Sequence, residues 1–382
     1  MRRPTGSRLS NSRSRARRLL NPERWRRFIV GSSLTLLKAQ DAEVAAAEQA
    51  PTSQQVFDPL GCGRPLRVLL AYSHYDYGSK RRGISYETTA FRDPLSWLGC
   101  DVIEARTDAL RSFAGRGAGE MLLELAFRHE PDVLFLIPFK NEVRPEIIGR
   151  LRDELEIPTV AWFSDDHWRF DDFTVKFLPH LSAAVTTSRA ALEKYRRRGF
   201  DRVLKSQWSA NHHIFRPLGL PLVHDCSFIG QPHSDRRELV RRLKRAGVEV
   251  VTRGFGWPEG RASLREMVEI SNQSRLCLNF GNASVGKENQ VKGRDFEIPA
   301  MGRPMLTAAS PEIGEYFSEA EVAVYRDGDD LVERVLELLA DAERREALAR
   351  AGHARFLAEH TAEKRLGALF GEMARAGWLS AR

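Results

Sequence analysis

Two successive series of short apolar segments, separated by segments with helical signals, constrain most strongly what this chain can fold into. The first series has six apolar segments, which begin at Arg67, Asp101, Pro131, Ile157, Ala183 and Arg202. The second series has five, which begin at Asp225, Val248, Leu276, Pro304 and Glu321. Apolar strands that alternate with helices are typical of parallel sheets covered by helices on both faces. The sequence therefore predicts an α/β fold of two Rossmann-like domains.

The two series also predict the domain organisation. We expect an N-terminal extension at 1–63, a first Rossmann-like domain at 64–217 and a second at 218–360. A C-terminal helix at 361–382 is expected to pack back toward the first domain. In folds of this kind ligands bind in the crevice at the carboxyl ends of the strands. A central cleft between the two domains is therefore the expected site.

The positive charge of the chain is concentrated in its N-terminal extension. The 382 residues include 59 Lys and Arg and 51 Asp and Glu, a net charge of +8. Residues 1–28 hold ten arginines and one glutamate, so residues 29–382 have a net charge of −1. Because this body has no basic field, nucleic acid is not an expected partner. Trp25 and Phe28 accompany the last arginines, which predicts contact with an anionic membrane surface; a disordered soluble tail and nucleic-acid contact are the alternatives.

The cysteines and the longest apolar run favour a cytoplasmic protein. The four cysteines lie far apart, at Cys62, Cys100, Cys226 and Cys277. This spacing fits neither a zinc knuckle nor a disulfide scaffold. The run from Phe28 to Leu37 falls well short of the ~20 apolar residues that a membrane-spanning helix needs. We therefore expect a cytoplasmic protein, peripheral to the inner face of the membrane where its extension binds lipid.

The segment after the strand 276–280 carries cations and a carboxylate that suit a phosphorylated sugar. Lys287 and Lys292 lie in a Gly-containing loop, and Arg294 and Glu297 begin a helix. A helix N-terminus attracts phosphate, and Arg can bind a diphosphate with two hydrogen bonds. Glu297 can accept hydrogen bonds from sugar hydroxyls. The pattern favours a nucleotide-sugar site, and the alternative is that both residues simply lie on the first turn of a helix.

A second group of titratable residues follows the strand 157–163. Asp165, Asp166 and His167 stand at the carboxyl end of that strand, where one of them could deprotonate an acceptor hydroxyl. The alternative is that an aspartate caps the next helix while His167 packs between tryptophans.

The loop 73–82 after the first strand is a third candidate. Its His74, Asp76 and Gly78 suit contact with an acceptor, and a solvated surface loop is the alternative.

The remaining histidines do not predict a metal site. His212 and His213 are adjacent in sequence, and His224 and His233 lie in apparent loops. Ligand pairs on one helix face need helical spacing, so structural or surface roles are expected for these residues.

The run Arg294–Leu306 resembles the donor-binding helix of the two-domain GT-B glycosyltransferases. Its Arg294-Asp-Phe-Glu297 start is similar to that of the CgeB-like, "glycosyl transferases group 1" branch. Further landmarks agree in order with this family: 185–188, 198–200, 213–217, 228–230 and 331–339. The resemblance covers about residues 66–375. The wider group has two glutamates eight positions apart; Glu297 matches the second, whereas Asn289 stands at the position of the first and Glu288 is one residue away.

The resemblance implies a glycosyltransferase that uses a nucleotide-diphosphate sugar and a glycan, lipid, protein or small-molecule acceptor. It implies a donor site formed by Gly230, Arg236, Gly254, Lys292, Arg294 and Glu297. Asp165, Asp166, His167 and Glu297 are the expected catalytic residues. We expect neither metal nor cofactor, with Arg294 and Lys292 stabilising the leaving diphosphate. A non-catalytic sugar-nucleotide-binding protein or scaffold and a GT-B-fold epimerase are the alternatives.

Overall fold

The computed structural model describes residues 56–114, 117–282 and 289–382. The predictions for residues 1–55, including the membrane contact, and for Lys287 lie outside these residues. Among the described helices, none is both long and apolar enough to cross a lipid bilayer.

The first domain is built on a parallel sheet with the strand order β2-β1-β3-β4-β5-β6. Its strands are β1 (Arg67–Tyr72), β2 (Asp101–Arg106), β3 (Val133–Leu136), β4 (Thr159–Phe163), β5 (Ala183–Thr186) and β6 (Val203–Lys205). Its helices are α1 (Asp93–Leu98), α2 (Thr107–Ala114), α3 (Ala118–His129), α4 (Pro145–Leu155), α5 (Asp166–Arg169) and α6 (Arg189–Arg197). The strand order reverses between β1 and β3, which places a crevice at the carboxyl ends of these two strands.

The second domain repeats this plan with the strand order β11-β10-β9-β7-β8. Its strands are β7 (His224–Ile229), β8 (Val250–Arg253), β9 (Ser274–Asn279), β10 (Met305–Ala308) and β11 (Ala323–Tyr325). Its helices are α7 (Arg236–Arg245), α8 (Leu264–Asn272), α9 (Arg294–Ala300), α10 (Gly328–Ala340) and α11 (Ala342–Glu359). Here the order reverses between β7 and β9, so the loops that follow Ile229 and Asn279 border the second crevice.

The last helix, α12 (Ala362–Arg375), belongs to the core of the first domain. Leu366, Phe370 and Met373 are buried in the same apolar cluster as β1. The ring centroid of Phe370 lies 5.2 Å from that of Phe135 on β3. The chain therefore crosses between the domains twice, once after β6 and once before α12.

Ion pairs join the domains beside the first of these crossings. Lys205 Nζ, at the end of β6, lies 2.8 Å from a Glu312 carboxylate oxygen and 2.9 Å from one of Glu315. Arg189 Nε contacts the other Glu315 oxygen at 2.8 Å. Because Lys205 is mostly buried here, these contacts favour one relative arrangement of the domains more than exposed pairs would.

The two Rossmann-like domains predicted from the alternating pattern are confirmed. The strands β3, β4 and β5 are buried on both faces, as strands covered by two helical layers must be, and this explains why they read as continuous apolar runs. Two local features go beyond the alternating pattern: a π-helical turn at Thr88–Arg92 directly precedes α1, and the helix α2 directly follows β2.

Candidate functional site

The start of α9 is fixed to the second sheet by one buried carboxylate. Asp295 Oδ1 accepts hydrogen bonds from Asn279 Nδ2 at 2.7 Å and from Thr307 Oγ1 at 2.6 Å. Its Oδ2 accepts one from the Lys292 backbone N–H at 2.7 Å. The side chain therefore ties β9 and β10 to the residue before the helix. Sequence analysis assigned no role to Asp295, although it lies between Arg294 and Glu297.

The first turn of α9 does not offer all its backbone N–H groups to a ligand. The amide of Asp295 donates to the Lys292 carbonyl at 3.1 Å, and those of Phe296 and Glu297 donate to the Gly293 carbonyl at 3.0 Å. These three donors are already used, and α9 is only seven residues long. The expectation of a helix N-terminus that binds phosphate through such donors is not met at these positions, so anion binding depends on side chains.

Three cations of the predicted donor site lie close enough to influence one another. Burial lowers the pKa of Lys292 to about 8, with Arg236 and Arg294 acting in the same direction and Asp165 opposing them. Burial lowers the pKa of Arg236 to about 10, and the charge of Arg294 adds to the effect. A bound anion would relieve this repulsion and favour the charged forms. The arrangement therefore favours a ligand with several negative charges.

The three cations differ in how they are held. Arg236 is buried, and its guanidinium donates to the carbonyls of Gln231 at 3.0 Å, Phe280 at 2.6 Å and Asn282 at 3.2 Å. Arg236 thus joins the loops that follow β7 and β9. Most of its N–H donors are already used, so it contributes mainly positive charge to the site. The Nε atoms of Arg236 and Arg294 are both buried without a hydrogen-bond partner among the described residues, but Arg236 already uses its other two nitrogens for these carbonyls. Arg294 is thus the better-placed cation to bind a ligand directly.

Glu297 lies one helical turn beyond Arg294 and is buried. Burial raises the pKa of this carboxyl, and the charge of Arg294 opposes the rise. A Cβ placed on Gly293 would lie 3.7 Å from Glu297 Oε1 and 3.0 Å from Tyr86 Cε2. The glycine therefore lets Tyr86, from the first domain, pack over the start of the helix beside Glu297.

The predicted glycines Gly230 and Gly254 lie back to back. Gly254 has a φ of +147°, and a Cβ there would lie 2.3 Å from the Gly230 carbonyl oxygen. That oxygen accepts a hydrogen bond from Trp257 Nε1 at 2.7 Å. Trp257 is a core residue, whereas Phe255 is 61% exposed. Any stacking with a nucleotide base at this loop would involve Phe255.

The structure separates the members of the Asp165, Asp166 and His167 group. Asp165 lies at the cleft, where its charge raises the pKa of Lys292 across the domain boundary. Asp166 is buried and accepts hydrogen bonds from Thr186 Oγ1 and Tyr195 Oη, both at 2.8 Å. His167 is half-buried, and its carbonyl accepts a hydrogen bond from Lys194. Asp165 is therefore the member that faces the donor cations.

We expect the substitution Asp166→Asn to change how stability depends on pH. Burial raises the pKa of Asp166 from 3.8 to about 7, although the hydrogen bonds from Thr186 and Tyr195 lower it. The folded state thus holds this proton more tightly than the unfolded state, and the contribution of Asp166 to the free energy of unfolding falls as pH rises through this range. The free energy of unfolding of Asp166→Asn, relative to that of wild type, should therefore increase as pH rises from about 4 to about 7.

Urea unfolding of both proteins at a series of pH values measures this difference. Asp172→Asn, at an exposed position nearby, is the control for loss of a surface charge. A difference between wild type and Asp166→Asn that stays constant across the range would contradict the prediction.

The predicted acceptor-side residues have distinct environments. His74 is buried, and its carbonyl accepts hydrogen bonds from Thr88 Oγ1 at 3.1 Å and the Ser85 N–H at 2.9 Å. Asp76 Oδ2 accepts a hydrogen bond from Arg261 of the second domain at 2.8 Å. Gly78 has a φ of +68° in a tight turn. The loop therefore reaches the second domain through Asp76, while His74 holds it to the first.

Two further residues have pKa shifts and were given no functional role by sequence analysis, one beside the donor cations and one in the first domain. Burial lowers the pKa of His233 to about 4, and the charges of Arg236 and Lys292 act in the same direction, which places this histidine beside the donor cations. Burial raises the pKa of Glu87 to about 7, helped by the charges of Asp76 and Glu142. Glu87 directly precedes the π-helical turn, a feature often found at functional sites.

The sequence of the second domain matches a known family. Residues 236–371 match the family described as "Glycosyl transferase-like". This range begins at Arg236 and includes Lys292, Arg294 and Glu297. A search of curated proteins found no match.

Solved structures share the fold of both domains. A glycosyltransferase from Rickettsia africae superposes with a TM-score of 0.54 at 10% identity, covering 81% of this chain and 98% of that one. AviGT4, a glycosyltransferase of avilamycin A biosynthesis, superposes with a TM-score of 0.53 at 13% identity, covering 82% of this chain and 98% of AviGT4. Anabaena HepE, in complex with UDP-glucose, superposes with a TM-score of 0.52 at 11% identity, covering 80% of this chain and 99% of HepE. Residues 236–371 are therefore similar to a glycosyl transferase-like family, and the chain has the two-domain fold of the GT-B glycosyltransferases.

Proposed function

We propose that this protein is a glycosyltransferase that moves a sugar from a nucleotide-diphosphate sugar on its second domain to an acceptor on its first. The carrying observation is the group of three mutually influencing cations, Arg236, Lys292 and Arg294, beside the buried Glu297 at the β7–β9 switch point. The match of residues 236–371 to a glycosyl transferase-like family supports the proposal. The UDP-glucose bound to HepE supports a nucleotide sugar as the donor class.

The donor site accounts for both ends of such a molecule. A diphosphate carries the negative charge that the crowded cations favour, and Arg294 can bind it through two parallel hydrogen bonds. His233, held neutral beside these cations, can donate one further hydrogen bond without adding charge. Glu297 can accept hydrogen bonds from sugar hydroxyls.

In the proposed reaction an acceptor hydroxyl attacks the anomeric carbon. A new carbon–oxygen bond forms while the bond from that carbon to the diphosphate oxygen breaks, and the electron pair leaves with the diphosphate. Lys292 and Arg294 stabilise the developing negative charge. Because these side chains supply positive charge where a metal ion could, the proposal includes transfer without a metal.

The acceptor proton passes to a carboxylate of the first domain. Glu87 is the better candidate, since a pKa of about 7 matches a base that works near neutral pH. Its neighbour Tyr86 packs against Gly293, which brings this part of the loop to the donor helix. Asp165, opposite Lys292, is the alternative base.

The proposal extends to subfamily and location. The Arg294-Asp-Phe-Glu297 sequence supports the CgeB-like branch of the GT-B enzymes. All four cysteines are free thiols, which supports a cytoplasmic location. The ten arginines of residues 1–28 support contact with an anionic membrane surface.

The test combines binding with turnover on the full chain. Thermal shift with UDP-, GDP- and ADP-sugars should identify a donor that raises the melting temperature. Incubation of that donor with sugar, lipid and peptide acceptors should then release nucleoside diphosphate and yield a glycosylated product, with or without added Mg²⁺ or Mn²⁺. Binding without turnover would favour a non-catalytic sensor or scaffold, and conversion of the donor sugar without transfer would favour an epimerase. Absence of both binding and turnover would overturn the proposal.

A further inference from the structure

The two chain crossings between the domains meet at one point. The Ala362 N–H, at the start of α12, donates to the Ala210 carbonyl at 3.1 Å. The next residue of the first crossing, Asn211, is buried, and its Nδ2 donates to the Thr89 carbonyl of the first domain at 3.1 Å. His212 and His213 follow in the same crossing, and Glu363 follows Ala362. Any link between these side chains therefore joins both connections.

Three candidate metal ligands converge at this point. His212 Nδ1 lies 3.4 Å from Glu363 Oε2, and His213 Nε2 lies 3.4 Å from Glu363 Oε1. One ligand atom from each of the three residues lies within 4.8 Å of the other two. At zinc–ligand distances of about 2.0–2.1 Å, neighbouring ligand atoms of a tetrahedral site are about 3.4 Å apart. The two imidazole–carboxylate separations match this value, each through a different oxygen of Glu363.

Two of these atoms are left unsatisfied by the protein. His212 Nδ1 and Glu363 Oε2 are buried, and neither has a hydrogen-bond partner among the described residues. They lie 3.4 Å apart, the separation of an ion pair when His212 is protonated. Buried polar atoms normally have partners, and a cation placed between a nitrogen lone pair and a carboxylate oxygen would satisfy both.

We propose that His212, His213 and Glu363 bind a divalent zinc ion at the junction of the two interdomain connections. Two imidazoles and one carboxylate form a common zinc ligand set, with water as the fourth ligand. Trp97 packs edge-to-face against His213 with ring centroids 4.6 Å apart, which restrains that ring. The site lies outside the donor cluster, so it would fix the hinge of the two domains and take no part in the chemistry.

Zinc titration of the full chain tests the proposal. After treatment with EDTA and removal of any affinity tag, calorimetry should show one Zn²⁺ bound per chain, and Co²⁺ should give the visible absorption of a four- or five-coordinate site. His212→Ala, His213→Ala and Glu363→Gln should each weaken zinc binding at least about tenfold. His129→Ala, at an exposed position at the end of α3, is the matched control and should leave binding unchanged.

Two results would overturn it. One is wild-type protein that binds no Zn²⁺ or gives only the spectrum of hexa-aqua Co²⁺. The other is that Glu363→Gln and the double variant His212→Ala, His213→Ala both bind Zn²⁺ with the stoichiometry and affinity of wild type. The wild-type titration and the Glu363→Gln variant, which keeps the side-chain shape, decide the matter even if an alanine variant fails to fold.

Discussion

Arg294→Ala is expected to lower kcat/KM for sugar transfer at least about 100-fold, the effect of removing a preorganised group that stabilises developing negative charge. The loss should fall mainly on kcat, because the charge on the leaving diphosphate grows in the transition state. Arg294→Lys should recover part of the rate, since it restores the charge without the two parallel hydrogen bonds.

The fold should survive this substitution. The buried Nε of Arg294 has no hydrogen-bond partner among the described residues, so its removal breaks no bond there. It also removes a positive charge that lowers the pKa of both Lys292 and Arg236. Arg294 also stabilises the ionised form of the buried Glu297. These two effects oppose each other, so the free energy of unfolding of Arg294→Ala should stay close to that of wild type.

Steady-state kinetics and urea unfolding on the same preparations check both statements. Arg265→Ala is the control, because this arginine is exposed on α8 and pairs only with Glu269 one turn away. Transfer by Arg294→Ala within threefold of the Arg265→Ala rate would remove Arg294 from the reaction. An unfolded Arg294→Ala protein would show that the side chain has a structural role.

Most of the fold follows from the sequence because it depends on short-range patterns. A strand covered by helices on both faces must be apolar along its whole length, and the order of strands and helices then fixes a doubly wound fold. The π-helical turn at Thr88–Arg92 is different, since a single widened turn of five residues is too short for the spacing of apolar residues to distinguish it from an α-helical turn.

The candidate site was only partly predictable, as the adjacent residues Asp165 and Asp166 illustrate. Both follow the same strand and have the same side chain, but Asp165 faces Lys292 across the cleft whereas Asp166 turns inward to Thr186 and Tyr195. Which of two neighbours points outward depends on the local backbone after β4, which sequence spacing does not specify.

His233 was missed for a related reason. It lies three residues after Gly230, in the loop that follows β7, but its contact with the donor cations depends on Lys292, nearly 60 positions away. The position of His233 in a loop after a strand could have indicated this role, because such loops in a doubly wound sheet border the ligand-binding crevice.

Glu87→Gln is expected to lower kcat at least about 100-fold and to alter the pH dependence of transfer. The wild-type base must be ionised to accept a proton, so the rate should rise as pH increases through about 7 and then level off. Glutamine cannot accept that proton, and the residual rate of Glu87→Gln should lack this rise. A purely structural role for Glu87 would lower the rate without removing its dependence on pH.

Glu142→Gln provides the matched comparison. The charges of Asp76 and Glu142 both raise the pKa of Glu87 beyond the effect of burial. Removing the charge of Glu142 should therefore shift the rise in rate to lower pH while leaving the maximal rate nearly unchanged. Asp76 is less suitable because its ion pair with Arg261 joins the two domains. If Glu87→Gln retains both the wild-type rate and its pH profile, the proton passes to another group, and Asp165 becomes the residue to substitute. If Glu142→Gln moves the profile while Glu87→Gln abolishes it, the base is identified by two independent effects on one titration.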